Sequence, residues 1–565
     1  MRLGQRGAPA AVAALLLVVV SGGCGAAGVE ERAGTLVYAH GSQFPQNLSP
    51  LTGEGGSSAA VAAVMIRLLP APFRTMPDYT IEPDEDLLAA EPTIEETAAG
   101  QVVTYEVNPD AVWNDGSAIT VDDFEFTWRL QRSSDPADGG CASLISTIGY
   151  DQIESVQAGQ GDNTVVVTYA SPFPDWKSLF QLYPAHVMDR GDDAANCAAT
   201  TLGWPIAAGL PADISGGPWQ LEAENIDVGE QTMTLTPNPE WYGDGPLLER
   251  LVYKTLGTEV PGVAVAALRS GEVNLITSQP QPDLVDAVRK LGPDITSEVT
   301  FGLSFQHLDM NTADVHLGKP EVRRAFALAL DRTALVAATA GAFDDRAQVL
   351  NNRFYVNTQP EYRDNAPPQY HSQDIAGAQV LLESVGYVPG PDGVYTHPQD
   401  GLLRLTMSTL PNNPLFEQTI DLASAQVAEA GFAITKLIDP DIFAGADRPT
   451  SLESRGFDIA LFAWTSSPYV SGFAEIYRSG GGQNYAGDSN TEVDALLERL
   501  STEVDPEVAA DLANRADALL WADMVTLPLY QNPTFTAWSS DFEGIVPNAT
   551  SAGPLWNSDE FTLSG

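Results

Sequence analysis

Residues 457–464, which read Phe-Asp-Ile-Ala-Leu-Phe-Ala-Trp, form an almost continuously apolar run between Gly456 and Pro468. A run this short and apolar predicts a strand covered on both faces rather than a short helix. The sequence turns polar directly after Trp464. Because ligands in open α/β sheets bind at the carboxyl ends of strands, the pattern is typical of a binding cleft. A tryptophan that caps the core, followed by an ordinary loop, is an equally good interpretation.

Shorter patterns predict two strands and a helix in the first quarter of the chain. Residues 35–39 suit a first strand, and a turn-rich loop over residues 40–45 follows it. Residues 103–107 alternate between polar and apolar positions, as a half-buried strand does. Thr120 stands at an N-cap position with Asp123 three residues later, which predicts a capping box that opens an amphipathic helix.

Strand and helix patterns alternate through the second half of the chain. Proline at the start and glycine after the end mark several of these helices. Alternating strands and helices imply an α/β lobe with right-handed crossovers. The predicted segments are helices over residues 261–270, 374–385 and 414–430, strands over residues 402–407, 432–438, 527–530 and 534–538, a helix that starts at Pro320, and a helix opened by a capping box from Ser489 to Glu492.

Two arginines lie on the helix that starts at Pro320, namely Arg323 and Arg324. Ion pairs at the surface or at a hinge are the commoner role for such arginines. Clamps that hold a ligand are the alternative.

The first 23 residues predict a secretory signal. Two arginines precede an apolar run over residues 10–20, which is too short to span a bilayer. The run ends in small residues before Cys24 and resembles a lipoprotein signal cleaved before a lipidated cysteine, although Ser21 stands where leucine is usual. Residues 24–34 would then be a lipidated tether at the extracytoplasmic face of the cell membrane, in the periplasm or cell-wall zone.

Cys141 and Cys197 are the two cysteines that remain once Cys24 is used for lipidation. A secreted chain reaches an oxidising compartment, so the two are predicted to form a disulfide. A zinc site is the alternative. His186 is the only histidine near Cys197 in sequence, and two sulfurs with one imidazole do not complete a tetrahedral zinc shell.

The composition narrows the class of protein further. The 565 residues carry a formal net charge of −47, which argues against nucleic acid as a partner because binding phosphates needs clustered Lys and Arg. A solvated acidic surface is the simplest meaning of this charge. Hydrophobic residues make up 44% of the chain, which is enough for the cores of two to four domains.

Residues 112–129, which include Trp113-Asn-Asp-Gly116, closely resemble the signature of the peptide/nickel-type solute-binding proteins of ABC importers, the oligopeptide- and dipeptide-binding family. Further blocks resemble the same family in the same order, and together they cover nearly all of the chain after the signal. These blocks are residues 215–219, 238–242, 268–276, 321–332, 484–490 and 493–497.

This resemblance implies an α/β fold of the periplasmic-binding-protein-like type II. In such a fold two α/β lobes are joined by hinge strands and close on a ligand, and an extra family-specific domain extends the cleft. The implied parts are lobe I over residues 35–81, 211–300 and 535–565, extra domain II over residues 82–210, and lobe III over residues 301–534.

The resemblance also implies where a ligand would bind. In peptide-binding relatives an aspartate three residues after the tryptophan of this block pairs with the free amino group of the peptide, and Ser467 stands at that position here. Either another acid supplies the contact or the ligand has no free amine there. Stacking and neutral hydrogen bonds would suit a sugar, a glycolipid headgroup or a modified peptide. The expected ligand-binding residues are Gln43, Phe44, Trp464, Thr465, Ser466, Ser467, Tyr469, Asn484 and Tyr485.

The expected function is capture of a peptide or other small solute and its delivery, by a monomer without cofactor or metal, to an ABC permease and ATPase complex. This chain has no phosphate-binding loop of its own. It also lacks a His-Glu-x-x-His pair and a Gly-x-Ser-x-Gly elbow, so an enzyme is not expected. The alternative is an envelope lipoprotein that uses the same clamp to bind a glycolipid or partner in cell-envelope assembly.

Overall fold

The computed structural model describes residues 34–97, 100–161, 163–256, 261–465, 468–470 and 472–564. Within them the chain forms two α/β lobes joined by hinge strands, together with an extra domain, which confirms the predicted fold class. The signal segment and Cys24 lie outside the described residues, so signal cleavage and lipidation stay predictions. No helix in the described part of the chain combines the length and the apolar character needed to cross a bilayer.

The strands are β1 (Thr35–His40), β2 (Phe73–Thr75), β3 (Ile81–Pro83), β4 (Leu88–Thr97), β5 (Gly100–Val107), β6 (Ile153–Ala158), β7 (Thr164–Tyr169), β8 (Trp219–Gln220), β9 (Ile226–Asp227), β10 (Thr232–Pro237), β11 (Arg250–Thr255), β12 (Leu275–Ser278), β13 (Ile295–Met310), β14 (Val388–Pro389), β15 (Tyr395–His397), β16 (Gly401–Leu402), β17 (Arg404–Thr409), β18 (Ala433–Ile438), β19 (Ile459–Thr465), β20 (Thr526–Ser539), β21 (Phe542–Glu543) and β22 (Thr562–Leu563).

The α-helices are α1 (Gly53–Gly56), α2 (Ala59–Leu68), α3 (Val121–Gln131), α4 (Ala185–Met188), α5 (Asp193–Leu202), α6 (Pro261–Ser270), α7 (Pro282–Arg289), α8 (Pro320–Leu328), α9 (Arg332–Ala338), α10 (Ile375–Ser384), α11 (Pro414–Ala428), α12 (Phe473–Tyr477), α13 (Thr491–Leu500) and α14 (Pro506–Asp523).

One mixed sheet runs through both lobes. In the described part of the chain its strand order is β18-β17-β19-β13-β20-β12-β1-β11-β10-β8, with β9 beside β10. Strand β1 is parallel to β11 and β12, and β17 is parallel to β18 and β19. The apolar run that the sequence singled out is β19, which is paired on both sides and has buried residues on both faces, as predicted.

Strands β13 and β20 are the connection between the lobes. The first part of β13 pairs with the end of β20 beside β12, and its last part lies between β19 and the start of β20. The register of the β13–β20 pair shifts between Phe301 and Phe305. Gly302 lies within this shift, and a Cβ there would meet the carbonyl oxygen of Ala549 at 2.3 Å. Glycine therefore lets the C-terminal segment approach the hinge closely.

Each part of the molecule has its own apolar core. Lobe III packs α8, α10 and α11 against one face of β13, β17 and β19. Lobe I packs α2 against its end of the large sheet. The extra domain packs α3 against a four-stranded antiparallel sheet of order β4-β5-β7-β6. The exact domain boundaries that the sequence suggested stay a prediction.

Two local predictions in the extra domain are confirmed. Thr120 and Asp123 form the capping box of α3: the Thr120 N–H donates to Asp123 Oδ2 at 2.9 Å, and the Thr120 hydroxyl accepts from the Asp122 N–H. Cys141 and Cys197 form a disulfide. The bridge ties the chain after α3 to helix α5.

Other local predictions need correction. The N-cap of α13 is Asn490, whose side chain accepts from the N–H groups of Glu492 and Val493, so the capping box expected from Ser489 is wrong. The two predicted C-terminal strands are one continuous strand, β20, because the longer strand β13 pairs along its length.

Candidate functional site

A cavity of about 620 Å³ lies where lobe III faces the extra domain and the β2–β3 hairpin. Its volume falls within the range of small-molecule sites, about 300–1,000 Å³. Segments that are far apart in sequence form its walls. The lining residues are Phe73, Asp78, Tyr79, Thr80, Ile81, Glu91, Pro92, Ile94, Pro174, Asp175, Trp176, Lys177, Tyr355, Gln359, Pro360, Glu361, Pro468, Tyr469, Val470, Glu503, Val504, Pro506 and Ala509.

Tyr79 at the tip of the β2–β3 hairpin fastens one wall to the hinge. Its φ is +74°, a conformation that non-glycine residues rarely adopt. The Tyr79 hydroxyl donates to the carbonyl of Phe301 and accepts from Thr358 Oγ1 at 2.9 Å and from Gln531 Nε2 at 3.2 Å. Burial raises the pKa of this phenol, so it stays protonated. The hydroxyl therefore links the hairpin to both hinge strands and to lobe III.

A second set of contacts joins lobe III to the extra domain across the cavity. The Tyr469 hydroxyl donates to the carbonyl of Lys177 at 3.1 Å, and the Val470 N–H donates to Asp175 Oδ1 at 3.1 Å. Both contacts involve one segment that follows β19 and one loop of the extra domain. They exist only when the two parts lie close together, so the structure represents a closed arrangement.

Trp464 at the end of β19 lies in a stack of rings. Its indole is parallel to the His307 imidazole, with centroids 5.7 Å apart, and to the Tyr485 phenol, with centroids 5.8 Å apart. Burial lowers the pKa of His307 to about 3, so this imidazole is neutral at ordinary pH. Trp464 is half-buried and does not line the cavity. Its ring packs behind the cavity wall, against the apolar cluster that contains Tyr79.

The other expected ligand-binding residues have different positions. Asn484 uses its side-chain amide within its own loop: it donates to the carbonyls of Arg478 and Asp488 and accepts from the N–H groups of Gly487 and Asp488. These bonds use the donors and acceptors of the amide and give it a structural role, so a ligand contact by Asn484 stays a prediction.

The expected contacts from lobe I also do not reach the cavity. Phe44 is buried in the lobe I core, 3% exposed, and Gln43 is exposed in the loop after β1. Thr465 ends β19 with its backbone paired to Ser304. Ser466 and Ser467 lie outside the described residues, so their contacts with a ligand stay a prediction.

Sequence patterns missed most of the cavity wall. Tyr79, Trp176 and Tyr355 are three of the five aromatic residues that line it, yet none of these three lies in a motif that the sequence singled out. A usable signal is an aromatic side chain in a proline-bounded turn, as in Pro77-Asp-Tyr79 and Pro174-Asp-Trp176. Such turns place aromatic rings at the ends of strands, where clefts form.

A buried acid, Asp309, and a half-buried acid, Asp488, lie beside the hinge. Burial raises the pKa of Asp309 on β13 to about 7, and burial with the nearby Asp523 raises the pKa of Asp488 to about 6. Asp309 Oδ1 accepts a hydrogen bond from the Thr526 hydroxyl at 2.6 Å. No group of three or more His, Cys, Asp or Glu side chains arranged to hold a metal was found among the described residues.

The family model for bacterial extracellular solute-binding proteins, family 5 (middle), matches residues 85–485. The chain is 29% identical over 503 residues to the oligopeptide-binding protein OppA of Mycobacterium tuberculosis, covering 87% of this chain and 79% of that protein. It is 26% identical over 415 residues to the probable monoacyl phosphatidylinositol tetramannoside-binding protein LpqW of the same species, covering 67% and 61%.

A solved structure is also similar to this chain. The periplasmic EDTA-binding protein EppA superimposes with a TM-score of 0.83 and 26% identity, covering 94% of this chain and 97% of that one.

Proposed function

Because the chain belongs to the bacterial extracellular solute-binding proteins of family 5, we propose that it captures a small solute, a peptide foremost, in the cavity between lobe III and the extra domain. Closure over the solute then presents it to an ABC permease and its separate ATPase. In this role the protein binds its cargo and leaves it chemically unchanged.

The observation that carries the proposal is the way the cavity is built. Its walls come from both sides of a two-strand hinge, and hydrogen bonds of Tyr79 and Tyr469 cross between those sides. A hinge that separates the walls would open the cavity and break these bonds. A solute that contacts both walls favours the closed form by its differential affinity.

Peptide cargo is supported by the relative named as an oligopeptide-binding protein, which matches most of this chain.

We further propose that lipidated Cys24 anchors the protein at the outer face of the cell membrane. Other relatives are named as lipoproteins, which supports this location.

A second candidate is binding of a glycolipid in cell-envelope assembly. The relative named as a tetramannoside-binding protein favours it. A lipid-linked tetramannoside is much larger than a cavity of about 620 Å³ and would require a more open cleft. Peptide capture is therefore the function we favour.

Native mass spectrometry of the purified protein, combined with small-angle scattering, tests the proposal. We expect co-purified or added short peptides to bind one per chain and to lower the radius of gyration. Glycolipid in the bound fraction, with peptides having no effect on scattering, would favour the second candidate. Scattering curves unchanged by every solute would contradict both.

A further inference from the structure

The wall of the cavity between lobe III and the extra domain carries mainly negative charge. Among the described lining residues Lys177 is the single basic side chain, whereas the acidic ones come from every wall. Glu361 and Glu503 belong to lobe III, and the others belong to the hairpin or the extra domain. The acidic residues are Asp78, Glu91, Asp175, Glu361 and Glu503.

Several of these carboxylates have no cationic partner in the protein. In the described part of the chain, Asp78, Glu91, Glu361 and Glu503 form no ion pair with Lys, Arg or His. Closing the cleft brings the carboxylates of lobe III towards those of the facing wall. Their mutual repulsion disfavours closure, and a cation between them would relieve it.

The aromatic part of the wall also suits a cation. Phe73, Tyr79, Trp176, Tyr355 and Tyr469 all line the cavity. Nζ of Lys177 lies 5.4 Å from the centre of the Phe73 ring and 5.5 Å from that of the Trp176 ring. An ammonium group of the protein itself is therefore already held by two of these rings, at the distances at which cations are attracted to aromatic faces.

We propose that the captured solute is cationic, with a lysine- or arginine-containing peptide as the class that fits. This inference rests on the proposed function and assigns its ligand class. The carboxylates of the wall supply acidic contacts for the basic groups, and the rings cover the aliphatic stems of the basic side chains. A polyanion such as EDTA would meet repulsion from the same wall.

Isothermal titration of the purified protein with three tripeptides of equal length tests the inference. The probes are Lys-Ala-Lys, Ala-Ala-Ala and Glu-Ala-Glu, each titrated at low and at high salt. We expect Lys-Ala-Lys to bind more tightly than Glu-Ala-Glu by about tenfold or more, since several weak exposed pairs add together. Added salt should reduce this ratio.

A triple variant, Glu91→Gln with Glu361→Gln and Glu503→Gln, should lose about tenfold in affinity for Lys-Ala-Lys and little for Ala-Ala-Ala. The matched control changes three exposed acids away from the cavity, Glu224→Gln, Glu429→Gln and Glu498→Gln, and so alters net charge equally. This control should retain the preference of the unaltered protein for Lys-Ala-Lys over Glu-Ala-Glu.

The outcomes separate the inference from the function on which it rests. Equal binding of all three tripeptides, or an equal loss for the triple variant and its control, overturns the cationic class and leaves solute capture standing. An equal loss of Lys-Ala-Lys and Ala-Ala-Ala in the triple variant also overturns it, because the acids would then support the wall only. Failure of every peptide to bind, with unchanged scattering, overturns both.

Discussion

Tyr79 makes hydrogen bonds that an opening of the cleft would break. Its hydroxyl has partners on β13, on β20 and in lobe III. We predict that Tyr79→Phe lowers solute affinity by about five- to tenfold, because the closed form loses hydrogen bonds worth about 1 kcal/mol. Titration calorimetry with a bound peptide measures the change.

A matched control exists in lobe I. The Tyr253 hydroxyl donates to the carbonyl of Ala63 at 2.9 Å, and both residues lie outside the hinge and the cavity. Tyr253→Phe should lower the melting temperature without changing affinity. Equal affinities of the two variants would show that the Tyr79 hydroxyl does not hold the closed form.

Asp309 is expected to make folding stability depend on pH. Its pKa in the folded chain is about 7, above the value of about 3.9 for an unfolded chain. The folded state therefore holds this proton more tightly, and the contribution of Asp309 to stability falls as pH rises from about 4 through about 7. We predict that Asp309→Asn, which cannot ionise, reduces this loss by a few kcal/mol. Urea unfolding at pH 5 and at pH 8 measures the change in the free energy of unfolding between the two pH values.

Asp110→Asn is the control, because Asp110 is exposed on a loop of the extra domain. This variant should leave unchanged the difference in the free energy of unfolding between pH 5 and pH 8. If Asp309→Asn behaved in the same way, ionisation of Asp309 would not be the source of the pH dependence.

At the scale of elements, Arg323 and Arg324 on α8 cap the end of α14. Arg323 donates from Nε and Nη2 to the carbonyl of Asp523, and Arg324 donates to the carbonyl of Ala522. These carbonyls end a helix and attract cations. Neither arginine lines the interlobe cavity, so the ligand-clamp interpretation is not supported, and the ion pairs expected from the sequence are replaced by bonds to backbone carbonyls.

Arg323→Ala should therefore lower the free energy of unfolding by about 2–3 kcal/mol, because it leaves buried carbonyls without donors. Arg324 is half-buried and its hydrogen bonds are solvent-exposed, so Arg324→Ala should cost less than about 1 kcal/mol. Solute affinity should be unchanged in both variants. Denaturant unfolding and calorimetry test this, and a loss of affinity without a loss of stability would restore the clamp interpretation.

At the scale of the whole molecule, the net charge of −47 gives the folded chain strong self-repulsion. Salt screens this repulsion within a Debye length of about 10 Å at 0.1 M. We predict that sodium chloride raises the melting temperature by a few degrees, measured by differential scanning calorimetry. Potassium chloride at the same ionic strength should act equally, and a fall in melting temperature would contradict the explanation.

The sequence by itself determined the elements whose cause is local. Strand β19, the capping box of α3 and the helix that begins at Pro320 follow from apolar periodicity and from side chains three residues apart. Family membership followed from blocks in a constant order. These features depend on neighbours along the chain, so the order of residues is enough to predict them.

Only the tertiary structure decided which residues face the cavity between lobe III and the extra domain. Asn484 was expected there but completes its own loop, and Trp464 supports the wall from behind. Tyr79 and Glu361 do line it, although neither lies in a motif that the sequence singled out. The physical reason is that the cavity is enclosed by segments hundreds of residues apart, and their meeting depends on the packing of whole lobes about the hinge.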